Sequence, residues 1–566
     1  KVVIKNSILA NNETQKGKDL YIESGTKVDL INSVIHNDNS QNIWVSHNCE
    51  LTWINSIASG YSSMTNFAGK INISYSIIQG GKSSIGSLGY AEIGFGELNW
   101  GEGNLEVDPK FVDASSKNFN LKSDSPAIDG GDPDFDNDGL TWQDEIEEQD
   151  PDGTRMDIGA YYYHQEAPYD GPVWYVSKDG DDLNSGKLEK PFLTIGKAVS
   201  ISSNNDSIFV LPGTYDENVD FDDKTLNIHS TKGRDVTIID GYVLEGQSRT
   251  KLNISGFTIQ NASGYGIGCE QCDLIASNIK VIGSSQAGIQ VADSATAIIS
   301  NAIIKDNYHS GLVINSSSQQ LGTTVTISNS IISDNQKNNN SPNHGGGIYT
   351  STIPTKIIIK NTIIRDNVGL DGGGIYAHES SIEIDSSEIY NNLAEANGGG
   401  ISFSKGFIPS IVTNTLIHSN RAENNYGGGL YIDKSKVIIK STTITDNTSD
   451  SKGGGLYISS SEDDSILIKN SNISKNSASI AGALFLAGEN INIKYSLISE
   501  NVANETGGIY VLNNTNSVPT LENLTVVKNQ SLVTSNSGVS AVRGTFKNLI
   551  IWGNTSVGTD GEINHP

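Results

Sequence analysis

One short phrase recurs through most of this chain. An apolar pair runs into Asn, and a Gly-rich turn then opens another apolar strand. The Asn stand at Asn307, Asn335, Asn367, Asn392, Asn420, Asn447, Asn476, Asn501, Asn529 and Asn554. The Gly turns fall between them, as Gly345-Gly346-Gly347-Ile348-Tyr349 and at 372–376, 398–402, 427–431 and 453–457. Weaker copies are Ala481-Gly482-Ala483-Leu484-Phe485 and Thr506-Gly507-Gly508-Ile509-Tyr510. Successive Asn are 25 to 32 residues apart, so one structural unit of that length is stacked repeatedly.

Within a unit the apolar residues alternate over short runs rich in Ile, Val, Thr and Tyr, such as Lys356-Ile357-Ile358-Ile359-Lys360. That is strand chemistry rather than helix chemistry. Two or three such strands close one turn of a coil, and each pairs in parallel with its counterpart one coil on. Repeats that pack only on their neighbours also explain how 566 residues avoid the size limit of a single core. Asn at a constant place is expected at a left-handed turn position, which it tolerates better than other non-Gly residues, with its side chains hydrogen-bonded up a column. The Gly triplets supply the other sharp corner. The pattern resembles the right-handed parallel β-helix of the pectin-lyase-like superfamily, an all-β solenoid.

A net charge of −27 argues against nucleic acid and polyanionic glycans as partners and favours divalent cations. Every apolar run is of strand length, so no membrane span is expected in this segment. Cys269-Glu270-Gln271-Cys272 lacks a second ligand pair for structural zinc and reads as a local disulfide or two inert thiols; Cys49 reads as core. Gly80-Gly81-Lys82-Ser83 is no P-loop, because Ser76 stands where that motif needs its first Gly.

The repeats are interrupted. Residues 1–100 hold coils marked by Asn6-Ser7-Ile8, Asn32-Ser33-Val34, Asn55-Ser56-Ile57 and Tyr75-Ser76-Ile77. Residues 101–168 depart from the pattern, with Asp108-Pro109-Lys110-Phe111, Ser125-Pro126-Ala127-Ile128-Asp129-Gly130 and Asp157-Ile158-Gly159-Ala160. This order resembles the closing module of secreted bacterial β-helix proteins. A linker is expected at 169–172, and a second β-helix over 173–566. Its start, from Trp174-Tyr175-Val176 through Pro191-Phe192-Leu193-Thr194 to Pro212-Gly213-Thr214-Tyr215, is similar to the opening module of DUF1565-like β-helix proteins. That resemblance implies a short helix at about 192–203 that plugs the first coil. The last coil reads like the first at an offset of 542 residues (Asn548-Leu549-Ile550 against Asn6-Ser7-Ile8), so one period of a tandem array or polymer, stacked end to end with copies of itself, is expected.

The sharpest motif lies in the interruption. Asp134-Phe135-Asp136-Asn137-Asp138-Gly139-Leu140, followed by Glu145, matches D-x-D-x-D-G-x5-E. It resembles the calcium loops of EF-hand, dockerin and thrombospondin-repeat proteins. Calcium prefers six to eight oxygens. Asp134, Asp136 and Asp138 are expected to ligate from one side, the Leu140 carbonyl to join them, and Glu145 to close the site with both oxygens. Asp150 and Asp152 are candidates for a weaker contribution. Neutralising clustered carboxylates, the ion is expected to stiffen the junction between the two β-helices.

The superfamily includes polysaccharide lyases and glycoside hydrolases, so enzyme activity must be weighed, although fold alone does not give function. Lyase chemistry needs Lys, Arg or His beside a uronate, and this chain has only six Arg. Arg365, Arg421 and His418 are the basic candidates near the Asp-Asn turns at Asp366 and Asp446, and Asp463-Asp464 is an adjacent carboxylate pair. The paired motifs of polygalacturonases are missing. The expectation is therefore a non-catalytic extracellular or cell-surface fibre, sheath or adhesin stalk rigidified by calcium. A polysaccharide lyase or hydrolase, and a module binding surface glycans through Tyr and Trp, are the alternatives.

Overall fold

Alternation along each strand decides which side chains enter the core. In Thr355–Lys360, Thr355, Ile357 and Ile359 are buried while Lys356 and Lys360 face out. The partner strands keep that register, so Ile327, Ile359, Ile384, Val412, Ile439, Ile468, Ile493 and Leu521 stand over one another, one per coil. All are buried. Each contributes roughly 1.5–3 kcal/mol, and the column lengthens with every coil added.

The computed structural model describes residues 1–564 apart from 13–18, 39–42, 61–63, 91–93, 166–168, 222–223, 246–249, 316–321, 337–343, 352–354, 513–517, 534–535, 557–558 and 561–562. The ends of the expected closing module (166–168) and of the expected second β-helix (565–566) thus lie outside the described residues. Two units divide the chain, Lys1–Pro168 and Tyr169–Pro566. Among the described residues the second unit stacks parallel sheets of fifteen, fourteen and fourteen strands. A further nine-stranded sheet of mostly two-residue strands begins at Val368–Gly369, so the coils from there on carry four strands rather than two or three.

The ladder Asn correct one expectation. None of the ten has a left-handed backbone; the residue before each takes that conformation in most coils, among them Asp306, Asp334, Asp366, Asn391, Ser419 and Asp446. The ladder Asn serve through their side-chain amides, all buried at 1% exposure or less. The Asn420 amide oxygen accepts from the backbone and side-chain nitrogens of Asn392 at 3.1 and 2.9 Å. Its amide nitrogen donates to the Ile389 carbonyl and to Asn447 at 2.9 Å each. Two donors and two acceptor sites are filled, which Asp, lacking the donors, cannot do. At the opposite corner Gly427 is left-handed (φ +73°), and a Cβ on Gly399 would lie 2.4 Å from the Gly428 carbonyl oxygen.

The capping helix is shorter than expected, Ile195–Ile201. Phe192 bridges to Val176 in extended backbone, and Thr194 caps the helix by accepting from the Lys197 N–H at 3.1 Å. Ile195, Ala198 and Val199 point into the first coil of the second unit. Cys269 and Cys272 form a disulfide, and Cys49 is a buried thiol.

In the first unit the inner column Leu30, Trp53, Ile73 forms one core. Val34, Ile57 and Ile77 point the other way and would be an exposed apolar stripe. The closing module covers them with Phe111, Phe119, Leu121, Ala127 and Ile158. Asn55 is the tie. It is left-handed and fully buried. Its side-chain oxygen accepts from the Asp132 N–H at 2.7 Å, and its carbonyl accepts from the Gly159 N–H at 2.9 Å.

Candidate metal centre

The acidic loop follows directly from that tie. Asp134 to Gly139 turn back on themselves because the carboxylates accept local N–H groups. Asp134 accepts from Gly139 at 3.2 Å, Asp136 from Asp138 at 3.2 Å, and Asp138 from Leu140 at 2.8 Å. Gly139 is left-handed (φ +92°), which a side chain would resist. One carboxylate oxygen each from Asp134, Asp136 and Asp138 lies within 4.8 Å of the others.

Glu145 does not join that trio. It clusters instead with Asp136 and with Glu148, a residue the motif does not include. A 3-10 turn, Ile146–Glu148, carries Glu148 into the protein at 2% exposure. One of its oxygens accepts the Phe135 N–H and, at 3.4 Å, the Asp136 N–H. Among the described residues the other has no hydrogen-bond partner, and neither has one buried oxygen of Asp134. Glu145 titrates above its ordinary range, through lost hydration first and then repulsion from Asp138, Asp136, Glu148 and Glu147. Desolvation likewise raises Asp132. Hard oxygen ligands, crowded like charges and orphaned buried oxygens are a donor set suited to calcium. Leu140 is exposed at the tip of this turn.

Asp150 and Asp152 are not brought to this cluster. Asp150 accepts the Asp157 N–H at 2.7 Å, and Asp152 accepts from Thr154 and from the Gln165 N–H. Asp157 accepts the N–H groups of Asp129 and Tyr163 at 2.7 and 2.6 Å. Burial first, then repulsion from Asp157, Asp152 and Asp129, pushes Asp150 up to about 7; burial first, then repulsion from Asp129 and Asp152, pushes Asp157 up to about 6. Their oxygens are spent on pinning the backbone of the closing module.

The basic candidates of the second unit are engaged. Arg365 pairs with Asp366; Arg421 reaches Asp450 at 3.3 Å; His418 meets Glu388 at 3.1 Å and stacks on Tyr390. Arg365, Tyr390 and His418 occupy successive coils of one strand position, whereas Arg421 lies on another sheet. Asp464 accepts from Ser461, so the adjacent carboxylate pair is divided. The aromatics after the Gly turns stack in a column, Tyr431 on Tyr457 on Phe485 on Tyr510, at 5.1–5.4 Å between rings, with the Tyr half-buried and Phe485 buried. A groove of about 420 Å³ is lined by Tyr265, Gln286, His309, Ser310, His344 and Tyr349.

The profile described as "Right handed beta helix region" matches residues 196–352, 243–416, 336–464 and 413–561, well over half of the chain. The chain belongs to the right-handed β-helix family. Among curated proteins, this β-helix chain is similar to YwoF of Bacillus subtilis, an uncharacterized protein, at 29% identity over 156 residues. The match covers 25% of this chain and 29% of that relative. Among solved structures it is similar to pectate lyase Pel9A (18% identity, 55% of this chain and 76% of that chain, TM-score 0.32). It is also similar to the periplasmic alginate epimerase AlgG (13%, 62% and 77%, TM-score 0.33). A third is the GH136 lacto-N-biosidase of Eubacterium ramulus (14%, 70% and 68%, TM-score 0.25). At such TM-scores these likenesses say nothing about the activity of this β-helix protein.

Proposed function

We propose that this chain is a non-catalytic structural β-helix protein of the cell exterior, with calcium in the acidic loop fastening the closing module to the coils of the first unit. The observation that carries the reading is the loop. Five carboxylates, two of them with orphaned buried oxygens, are gathered beside the Asn55 tie. In the second unit Arg365 and Arg421 are held by carboxylates, which leaves neither guanidinium unpaired for uronate recognition. End-to-end stacking with copies of the same chain belongs to the proposal, supported by the shared wording of Asn6-Ser7-Ile8 and Asn548-Leu549-Ile550.

A second reading, glycan binding, is favoured by the groove at Tyr265, His309, His344 and Tyr349, where aromatic faces and polar tips share one concave wall. One experiment separates the readings from catalysis. The chain is incubated with polygalacturonate, alginate, xylan and host-type glycans, and products are analysed for new unsaturated or reducing ends. No new ends, with or without retention of a glycan, is the expected result. Turnover would establish an enzyme and end the structural proposal.

A further inference from the structure

We propose that the acidic loop holds two divalent cations rather than one, sharing Asp136, with the second ion seated on Glu145 and the buried Glu148. The inference rests on the calcium reading of the loop and deepens it. Two ligand trios are present, Asp134 with Asp136 and Asp138, and Asp136 with Glu145 and Glu148. Asp136 is common to both. Glu145 is not gathered with Asp134 and Asp138, so the loop does not close as a single cage. A carboxylate has two oxygens, and each can serve a different ion.

Glu148 supplies the independent observation. It is 2% exposed, one oxygen is committed to the N–H groups of Phe135 and Asp136, and the other has no partner among the described residues. A buried carboxylate oxygen without a donor is costly, and a cation relieves that cost. The backbone bonds to its first oxygen also orient the second, since they fix the carboxylate plane against the loop. Charge agrees with two ions. Five carboxylates around one divalent cation leave three uncompensated negative charges, and a second cation leaves one. Seven-fold oxygen coordination for each ion would be completed by water and carbonyls at the exposed rim, where Asp136 and Asp138 face solvent.

The test is equilibrium dialysis of the full chain, stripped with chelator, against radioactive calcium. Circular dichroism checks that each variant is folded. Relative to the unaltered chain, Glu148→Gln keeps the hydrogen-bond acceptor but is expected to bind one ion fewer. Asp136→Asn is expected to bind two fewer, and Asp138→Asn one fewer. Should Glu148→Gln not fold, the contrast between Asp136→Asn and Asp138→Asn decides alone. A loss of one ion by each of those two variants, or full binding by folded Glu148→Gln, would overturn the second ion while leaving the first. Unchanged binding by Asp136→Asn would overturn the calcium reading itself.

Discussion

Asn420 shows how much one side chain can carry in a repeat. Replacing it with Ala strands the Asn392 backbone N–H, costs the Asn392 amide one of its three acceptors, and leaves the Ile389 carbonyl and the Asn447 amide oxygen each short of a donor, all in the interior. Each orphaned buried group costs about 1–3 kcal/mol, and partial relaxation leaves a net loss of about 3 kcal/mol. Denaturant unfolding of Asn420→Ala should show that loss, read at unchanged slope. Asn420→Asp should be worse, because it adds a buried charge as well. At the Gly corner, Gly399→Ala drives a Cβ into the Gly428 carbonyl and the Arg421 backbone, and a loss of about 1–3 kcal/mol is expected in the same assay. The period of the Asn was plain in the sequence. Their job was not, since Asn suits both a left-handed turn and a buried amide ladder. Spacing cannot tell the residue at the turn from its neighbour; only the tertiary hydrogen bonds separate them.

At the level of elements, the acidic loop and the closing module depend on each other. Asn55→Ala removes the acceptor that holds Asp132, two residues before the first ligand, without touching any ligand. It should weaken calcium binding several-fold by isothermal titration, while leaving the ligand set intact. The pH response follows from Asp150 and Asp157, whose carboxyls are held above their ordinary range in the folded state. A raised carboxyl pKa means the folded state binds protons more tightly than the unfolded chain. Their contribution is therefore most favourable at low pH and is lost as pH rises through about 6 to 7. In chelator, the first unit should become more stable from pH 8 to pH 5, measured by its melting temperature. The motif made Asp134, Asp136, Asp138 and Glu145 legible, because its spacing is local. Glu148 was hidden. It lies beyond the motif, and only a 3-10 turn and the Phe135 N–H bring it inward.

For the molecule as a whole, the solenoid was legible because each coil repeats the same instruction: apolar alternation, Asn, Gly corner. The helix Ile195–Ile201 and the module over Val34, Ile57 and Ile77 close surfaces that a bare solenoid would expose. How the module lies along the coils could not be read from residues 101–168, since Phe111, Phe119 and Ile158 find their partners across long separations. The two units have separate cores, so calcium bound in the first should act on that unit alone. At about a hundred-fold excess over its dissociation constant, one ion adds about 2.7 kcal/mol. For a unit of this size that is a rise of roughly 5–10 °C. Differential scanning calorimetry of the full chain, in calcium and in chelator, tests this most directly. One transition should rise with calcium, the other should stay, and Asp134→Asn/Asp136→Asn should abolish the rise. Transitions that coincide in calcium and chelator would contradict a calcium-fastened first unit.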